Sequence, residues 1–407
     1  MHIIADYILK FNSFRKFRRM LRHLWLLMLT VEASSSCSSG HDCQLNGQCL
    51  NGTCHCEAAW RGNQCQYLNL LPAKPTNGLQ LPSGGGTWGG SVLFEQGSGQ
   101  AEGRGTFHMF ASVFANDCGL DAWRPNSYIG RAVSSTPEGP YTLTQTVKTH
   151  FAHEPAAVLA PDGSILVYHI GGGDGSTGPD FARNCSKGCT GRDHVWTPGL
   201  TFYGPTAVLR STSFSGPWTA VQLGNCSNLP GCSQCGDTNP APVVLRDGSV
   251  RMMWRGSGKG QPNSVMFMAE APAWDGPFSW NTSNLFPQFA NTHIEDAHMW
   301  VSASGTWHAL LHSDVEGSQR GAAGGHAFSE DGRQWTFSQY NAYGATVAMV
   351  DGSNTTFPKR ERPHLIMDPV TGEPAFLVNG VAAVGFKKHG GCDRTFTFIQ
   401  PIKTRQQ

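Results

Sequence analysis

The stretch His153-Glu154-Pro155-AAVLAPDGSILVYHIG, residues 153–171, decides the fold because its pattern returns three times. The other copies are Thr238-Asn239-Pro240-APVVLRDGSVRMMWRG, Glu295-Asp296-Ala297-HMWVSASGTWHALLHS and Arg362-Pro363-HLIMDPVTGEPAFLVNG. Each sets polar or ionisable residues before Pro or Ala, then an apolar run, a Gly-centred turn and a second apolar run. Two apolar runs about such a turn read as a strand hairpin. A hairpin repeated at intervals of tens of residues reads as the inner half of a β-propeller blade. The residues ahead of each first strand then converge on one end of a central axis, and function is sought there.

A second recurrence supplies the outer halves. Ala132–Tyr141, Leu209–Trp218, Met268–Phe278 and Phe328–Trp335 each follow a hairpin and carry a Gly-containing turn that ends in an aromatic. Ser91–Glu95 and Thr106–Ser112 read as the inner strands of one further blade, and Arg394–Ile402 has strand character. The expectation is an all-β chain with a five-bladed propeller over residues 91–402, entered through a Pro/Gly-rich link at 68–90 and followed by a tail at 403–407.

The 407 residues hold 30 basic and 29 acidic side chains, which excludes an electrostatic footprint for nucleic acid. At the N-terminus, basic Lys10, Arg15, Lys16, Arg18, Arg19 and Arg22 precede the apolar run Leu24–Val31 and the small-residue site before Ser34. This reads as a signal peptide over 1–33 and a secreted product; the alternative is a single-pass signal anchor. Thirteen cysteines and sequons at Asn51, Asn184, Asn225, Asn281 and Asn354 agree with an oxidising route.

Cys37, Cys43, Cys49, Cys54, Cys56 and Cys65 stand close together, and six cysteines allow fifteen pairings. Their spacing resembles an EGF-like module over 34–67, down to the run Cys54-His55-Cys56-Glu57-Ala58-Ala59-Trp60-Arg61-Gly62-Asn63-Gln64-Cys65. The resemblance implies the pairs Cys37–Cys49, Cys43–Cys54 and Cys56–Cys65. The acidic and Asn positions of a calcium-binding EGF module are not convincingly present, so no calcium is expected. A domain this small needs its disulfides to fold. It is read first as a stapled spacer and second as a site for a protein partner. The seven remaining cysteines, Cys118, Cys185, Cys189, Cys226, Cys232, Cys235 and Cys392, read as local staples rather than a zinc site.

Glu154, Asp237, Asn239, Glu295, Asp296, Glu361 and Arg362 lead the blades. Two carboxylates across a polar cleft are what glycosidic cleavage requires, one protonated and one ionised. Here the chain resembles the five-bladed propeller glycosidases of glycoside hydrolase families 43, 32 and 68, on Glu154-Pro155 and the Glu295-Asp296 pair and over about residues 80–400. It departs from them at Thr87-Trp88-Gly89-Gly90-Ser91, where those enzymes carry an Asp, and at Asn239-Pro240. The implied reading is a glycan-cleaving enzyme with Glu295 as general acid, Glu154 or Asp237 as base, Asp296 tuning, and Arg362, Asn239, Trp88 and Trp254 contacting substrate. Trp123 and Trp196 are further candidates for stacking on a sugar face, against the blander reading of packing between blades.

The alternatives are a non-catalytic carbohydrate- or protein-binding propeller and a sialidase-like hydrolase. The latter rests on Ser329-Glu330-Asp331-Gly332-Arg333-Gln334-Trp335, which is reminiscent of an Asp-box turn. His293, His298, His308 and His312 match no tight metal motif, so no metal or other cofactor is assigned.

Overall fold

The computed structural model describes residues 36–97, 105–172, 185, 206–223, 232–234, 239–258, 264–281, 283–289, 293–317, 322–383 and 393–405. The signal segment 1–33, Asp237, Trp196, Cys189, Cys226, Cys235, Cys392 and the sequons at Asn184 and Asn225 lie outside these residues.

Four short strands, β1 (Gly47–Leu50), β2 (Thr53–Cys56), β3 (Trp60–Arg61) and β4 (Tyr67–Leu68), form two hairpins stapled by Cys37–Cys49, Cys43–Cys54 and Cys56–Cys65. The remaining strands build five blades. The first is β5 (Thr87–Gln96), β6 (Gly105–Phe114), β7 (Ser127–Ser134) and β8 (Thr142–Lys148). The second is β9 (His153–Leu159), β10 (Ile165–Ile170), β11 (Thr206–Ser211) and β12 (Thr219–Gln222). In the third, β13 (Cys232–Gln234) and β14 (Ala241–Val244) both pair with β15 (Val250–Gly258), followed by β16 (Ser264–Ala271) and β17 (Ser279–Asn281). The fourth is β18 (Glu295–Val301), β19 (Trp307–His312), β20 (Gly324–Ser329) and β21 (Thr336–Tyr343). A hairpin of β22 (Thr346–Ala348) and β23 (Asn354–Thr356) leads to the fifth, β24 (Arg360–Met367), β25 (Pro374–Ala382) and β26 (Thr395–Pro401). The five-bladed expectation holds.

The turns of several hairpins, two inside blades and one between β22 and β23, follow from local chemistry. In the Asp-Gly-Ser corners, Asp162, Asp247 and Asp351 each accept the amide of the Ser two residues on, at 2.9 Å. The intervening Gly163, Gly248 and Gly352 take φ of 81°, 85° and 85°, where a side chain is strained.

Alternation along each strand then closes the ring. Ile165 and Val167 of β10 pack with Phe110 and Ile129 of the first blade, while their neighbours Leu166 and Tyr168 face Met252, Trp254 and Phe267 of the third. Met253 and Met266 meet Met299 and Leu311 in the next seam, and Ile366, Val378 and Ile399 meet Val92, Phe107 and Met109 in the last. Each inner blade thus buries both faces, which is why its runs read as continuously apolar.

The fifth blade is completed from the other end of the chain. Leu70 bridges Ile402 and Leu79 bridges Thr397, so the stretch read as a link lies against β26. The small stapled domain is itself docked. Trp60, Leu68, Cys43 and Cys65 share one buried cluster with Trp300, Leu310, Leu365 and Leu377 of blades four and five. A simple spacer would have no such buried joint. Nor are all propeller cysteines locally stapled: Cys185 bonds Cys118 across 67 residues of sequence, joining the loop after β6 to the loop after β10.

Candidate active site

One position per blade gathers at the axis, and the backbone marks it. Glu154, Asn239, Asp296 and Arg362 have φ of 59°, 34°, 56° and 50°, and the equivalent place in the first blade holds Gly89 at 60° and Gly90 at 143°. Strand pairing shifts register at these places in the first, second, fourth and fifth blades. A left-handed residue before Pro or Ala kinks the start of the inner strand and turns its side chain inward. Non-glycine residues held in this region signal that the surroundings over-determine them.

All four side chains are nearly inaccessible, and charge pairing explains how they tolerate it. Nη1 of Arg362 lies 3.0 Å from Oε1 of Glu154 and 3.1 Å from Oδ1 of Asp296. Asn239 donates its amide to the same Asp296 oxygen. The two carboxylates sharing one guanidinium nitrogen are therefore close neighbours, and Arg362 bridges the second and fourth blades. Its bulk also accounts for the missing acid in the first blade. A Cβ on Gly89 would meet Nε, Cβ and Cδ of Arg362 at 3.0–3.1 Å. The Gly-Gly pair leaves room for the arginine. Nε of Arg362 and Oδ1 of Asn239 have no hydrogen-bond partner among the described residues.

Beside this cluster stands a second ring of charge. Glu295 meets Nη1 of Arg255 at 2.9 Å, Nε2 of His293 at 2.7 Å and Nδ1 of His312 at 3.4 Å. Burial alone would raise its pKa, but these partners hold it well below the usual carboxylate range. Glu295 is thus a standing anion, the opposite of what a proton donor requires. Asp296 differs: burial, supported by Glu295 and Glu361, pushes it up against the pull of Arg362 and His312. For His312, burial favours the neutral ring, yet Glu361, Glu295 and Asp296 outweigh it and hold the imidazolium up to about 10. Glu361 is paired with Nζ of Lys359 at 3.3 Å.

Two triads bring ligand atoms within 4.8 Å of one another, His293/Glu295/His312 and Asp296/His312/Glu361. Both share His312, so a cation at either would have to displace the proton that the surrounding carboxylates favour on that ring.

The aromatic candidates fare differently. Trp254 is fully buried between blades two and three against Phe267 and Trp280, and Trp88 is buried over Gly380. Both rings are sealed in packing, Trp254 in the seam of blades two and three and Trp88 against Phe114, Cys118 and Ala122 of the first blade and its loop. Trp123 lies over His153, whose Nδ1 meets Oγ of Ser127 at 2.7 Å and whose Nε2 is 3.8 Å from Glu154. The Asp-box-like turn sits between β20 and β21, where Asp331 accepts the amides of Arg333 and Gln334, and Arg333 pairs with Glu270 of blade three. It is a corner of the scaffold and contributes nothing to the axis.

Sequence reasoning weighed His312 only as a metal ligand and did not pair it with the axial acids. The signal was the pairing of Glu295 with His312 across β18 and β19, which only the hairpin register reveals. Arg255, from the third blade, was invisible without the fold, whereas His293, two residues before Glu295, was weighed only as a metal ligand.

No protein-family model matches the chain, and no curated protein does. Among solved structures, the chain is similar to a family 117 glycoside hydrolase of the marine bacterium Zobellia galactanivorans, at 10% identity and a TM-score of 0.52, over 84% of this chain and 92% of that one. It is similar to the catalytic domain of a family 62 α-L-arabinofuranosidase of Coprinopsis cinerea, at 12% identity and 0.53, over 85% and 98%. A third is an α-L-arabinofuranosidase of Podospora anserina in complex with cellotriose, at 10% and 0.51, over 86% and 98%. At these identities the likeness is one of fold: a five-bladed propeller whose structural neighbours are glycoside hydrolases.

Proposed function

We propose that the chain is a glycoside hydrolase that binds a glycan over the axis and cleaves it by carboxylate acid/base chemistry. The carrying observation is the convergence of Glu154 and Asp296 on one guanidinium nitrogen, with an unmet donor on Arg362 and an unmet acceptor on Asn239 beside them. A sugar hydroxyl, donor and acceptor at once, has the chemistry to meet either atom once the axis opens to admit it. The environments of Glu295 and Asp296 push their protonation in opposite directions, which is how acid and base roles are separated in one site. In this reading Asp296 gives its proton to the leaving oxygen, Glu154 activates water, and Glu295 steadies His312. The three N-terminal disulfides and the exposed sequons Asn51, Asn281 and Asn354 support an EGF-like module on a secreted protein.

The test is a polysaccharide panel read for both binding and reducing-end release, with Asp296→Asn, Glu154→Gln and Glu295→Gln beside the unmodified protein. Loss of the proton donor is expected to lower turnover by about 10²–10⁴-fold with the fold retained. Unchanged turnover in all three variants would sink the assignment. A second reading, a binder without catalysis, is favoured by the pairing of both carboxylates with Arg362; it wins where a glycan is bound and never cleaved.

A further inference from the structure

A run of buried rings crosses from the stapled domain into the fourth blade. The ring of Trp60 lies 4.6 Å from that of His326, which lies 5.4 Å from His308, which in turn lies 5.1 Å from Trp300. The polar atoms form an equally continuous chain. Oγ1 of Thr306 meets Nε2 of His308 at 2.9 Å, and Nδ1 of His308 meets Nε2 of His326 at 3.2 Å. Nδ1 of His326 stands 3.4 Å from both Gln44 and Asn46 of the stapled domain, and Asn46 also donates to the carbonyl of Cys65 at 3.0 Å. Both histidines expose 2% or less of their surface.

An imidazole-to-imidazole bond holds one proton, because one nitrogen donates and the other must offer a lone pair. A second proton sets N–H against N–H inside a sealed joint. The groups facing the pair are Gln44, Asn46 and Trp60 from the stapled domain and Thr306, Trp300 and Phe328 from the blade; His41 lies on Phe328. No carboxylate pairs with either ring among the described residues. Burial accordingly holds His308 down to about 3, and burial together with His308 holds His326 well below the usual range.

We propose that this joint is an acid-operated latch: the stapled domain is docked on the fourth blade while His308 and His326 are neutral, and it is released when they take up protons. In the released state the rings meet water and titrate as ordinary histidines near 6.5. Below that pH the released form binds two protons more than the docked form, so its population rises about a hundredfold per pH unit. The strands that would be unbuttressed are those of the fourth and fifth blades, the fourth of which also carries Glu295, Asp296 and His312.

Hydroxyl-radical footprinting of the full chain between pH 7.5 and 4.5 tests this, because labelling of Trp60 reports the joint whatever the disulfides do. Trp60 labelling is expected to rise below pH 6.5 with a two-proton dependence, while Trp254, sealed between blades two and three, stays protected. Asn46→Asp places a carboxylate beside His326 and should move release at least one pH unit lower, about tenfold in proton concentration. The double variant His308→Gln/His326→Gln should show no dependence on pH; if it does not fold, the Asn46→Asp shift decides alone. Constant protection of Trp60 down to pH 4.5, exposure of Trp60 and Trp254 in step, or no shift in Asn46→Asp would each overturn the latch.

Discussion

His308 and His312 lie on one strand, both buried, yet their surroundings drive them in opposite directions. At the axis His312 stands among Glu295, Asp296 and Glu361 and is held as a cation; at the joint His308 meets a hydroxyl, an imidazole and an indole and is held neutral. Burial disfavours charge in both cases, so the difference is made by the carboxylates alone. The lesson is that the axis is a balanced ionic cluster and the joint a neutral one, and each fails by a different route.

The sharpest way to break the comparison is to unbalance the axis. Arg362→Met removes the one guanidinium that Glu154 and Asp296 share and leaves both acids in a site with almost no access to water. Breaking a buried ionic network by deleting one partner costs about 3–5 kcal/mol, so urea unfolding should show a loss of that size. The variant Arg362→Met with Glu154→Gln and Asp296→Asn should recover much of it, because no buried charge is then left unpaired. If Arg362→Met alone is as stable as the parent, the ionic cluster is not what holds the axis.

A smaller effect follows from pH. His312 has a folded pKa above its unfolded value, so its contribution is complete below about 6.5 and is lost as pH rises toward about 10. The joint histidines are depressed instead, so their contribution is complete above about 6.5 and is lost as pH falls. Thermal melts should therefore show greatest stability near neutrality, with two limbs of separate origin. His312→Gln should flatten the alkaline limb only, and the double glutamine variant of the joint the acid limb only. An alkaline limb that survives His312→Gln would assign it to other groups and detach His312 from the axial balance.

How much of this was legible in the sequence depends on the range over which each interaction acts. The Gly-centred turns of the repeats and the strand alternation are local, and they yielded the blade count. The axial residues Glu154, Asn239, Asp296 and Arg362 were legible because each copy of the repeat places one polar residue before Pro or Ala. Their roles were not. That Glu295 is a fixed anion depends on Arg255 and His312 arriving from other strands, and that Trp254 is packing rather than platform depends on the neighbouring blade. The joint was beyond reach because His326 and its partner Asn46 are 280 residues apart.

The outer rim offers the smallest perturbation and a control on the comparison. Arg333 reaches across the seam between blades four and three to grip Glu270 with two nitrogens, at 3.0 and 3.1 Å. Its geometry is that of a strong pair, but its side chain is 62% exposed and water competes for it throughout. Arg333→Ala should cost under about 1 kcal/mol, and less in high salt, because exposed pairs gain little in a medium of high dielectric constant. Asp331 in the same corner accepts the amides of Arg333 and Gln334, so Asp331→Ala should cost more than Arg333→Ala despite removing no ion pair. Neither change should alter the axial titration of His312 or the acid exposure of Trp60. A loss from Arg333→Ala comparable with that from Arg362→Met would mean that rim and axis are one cooperative charge network, and the contrast drawn between balanced and neutral interiors would have to include the surface.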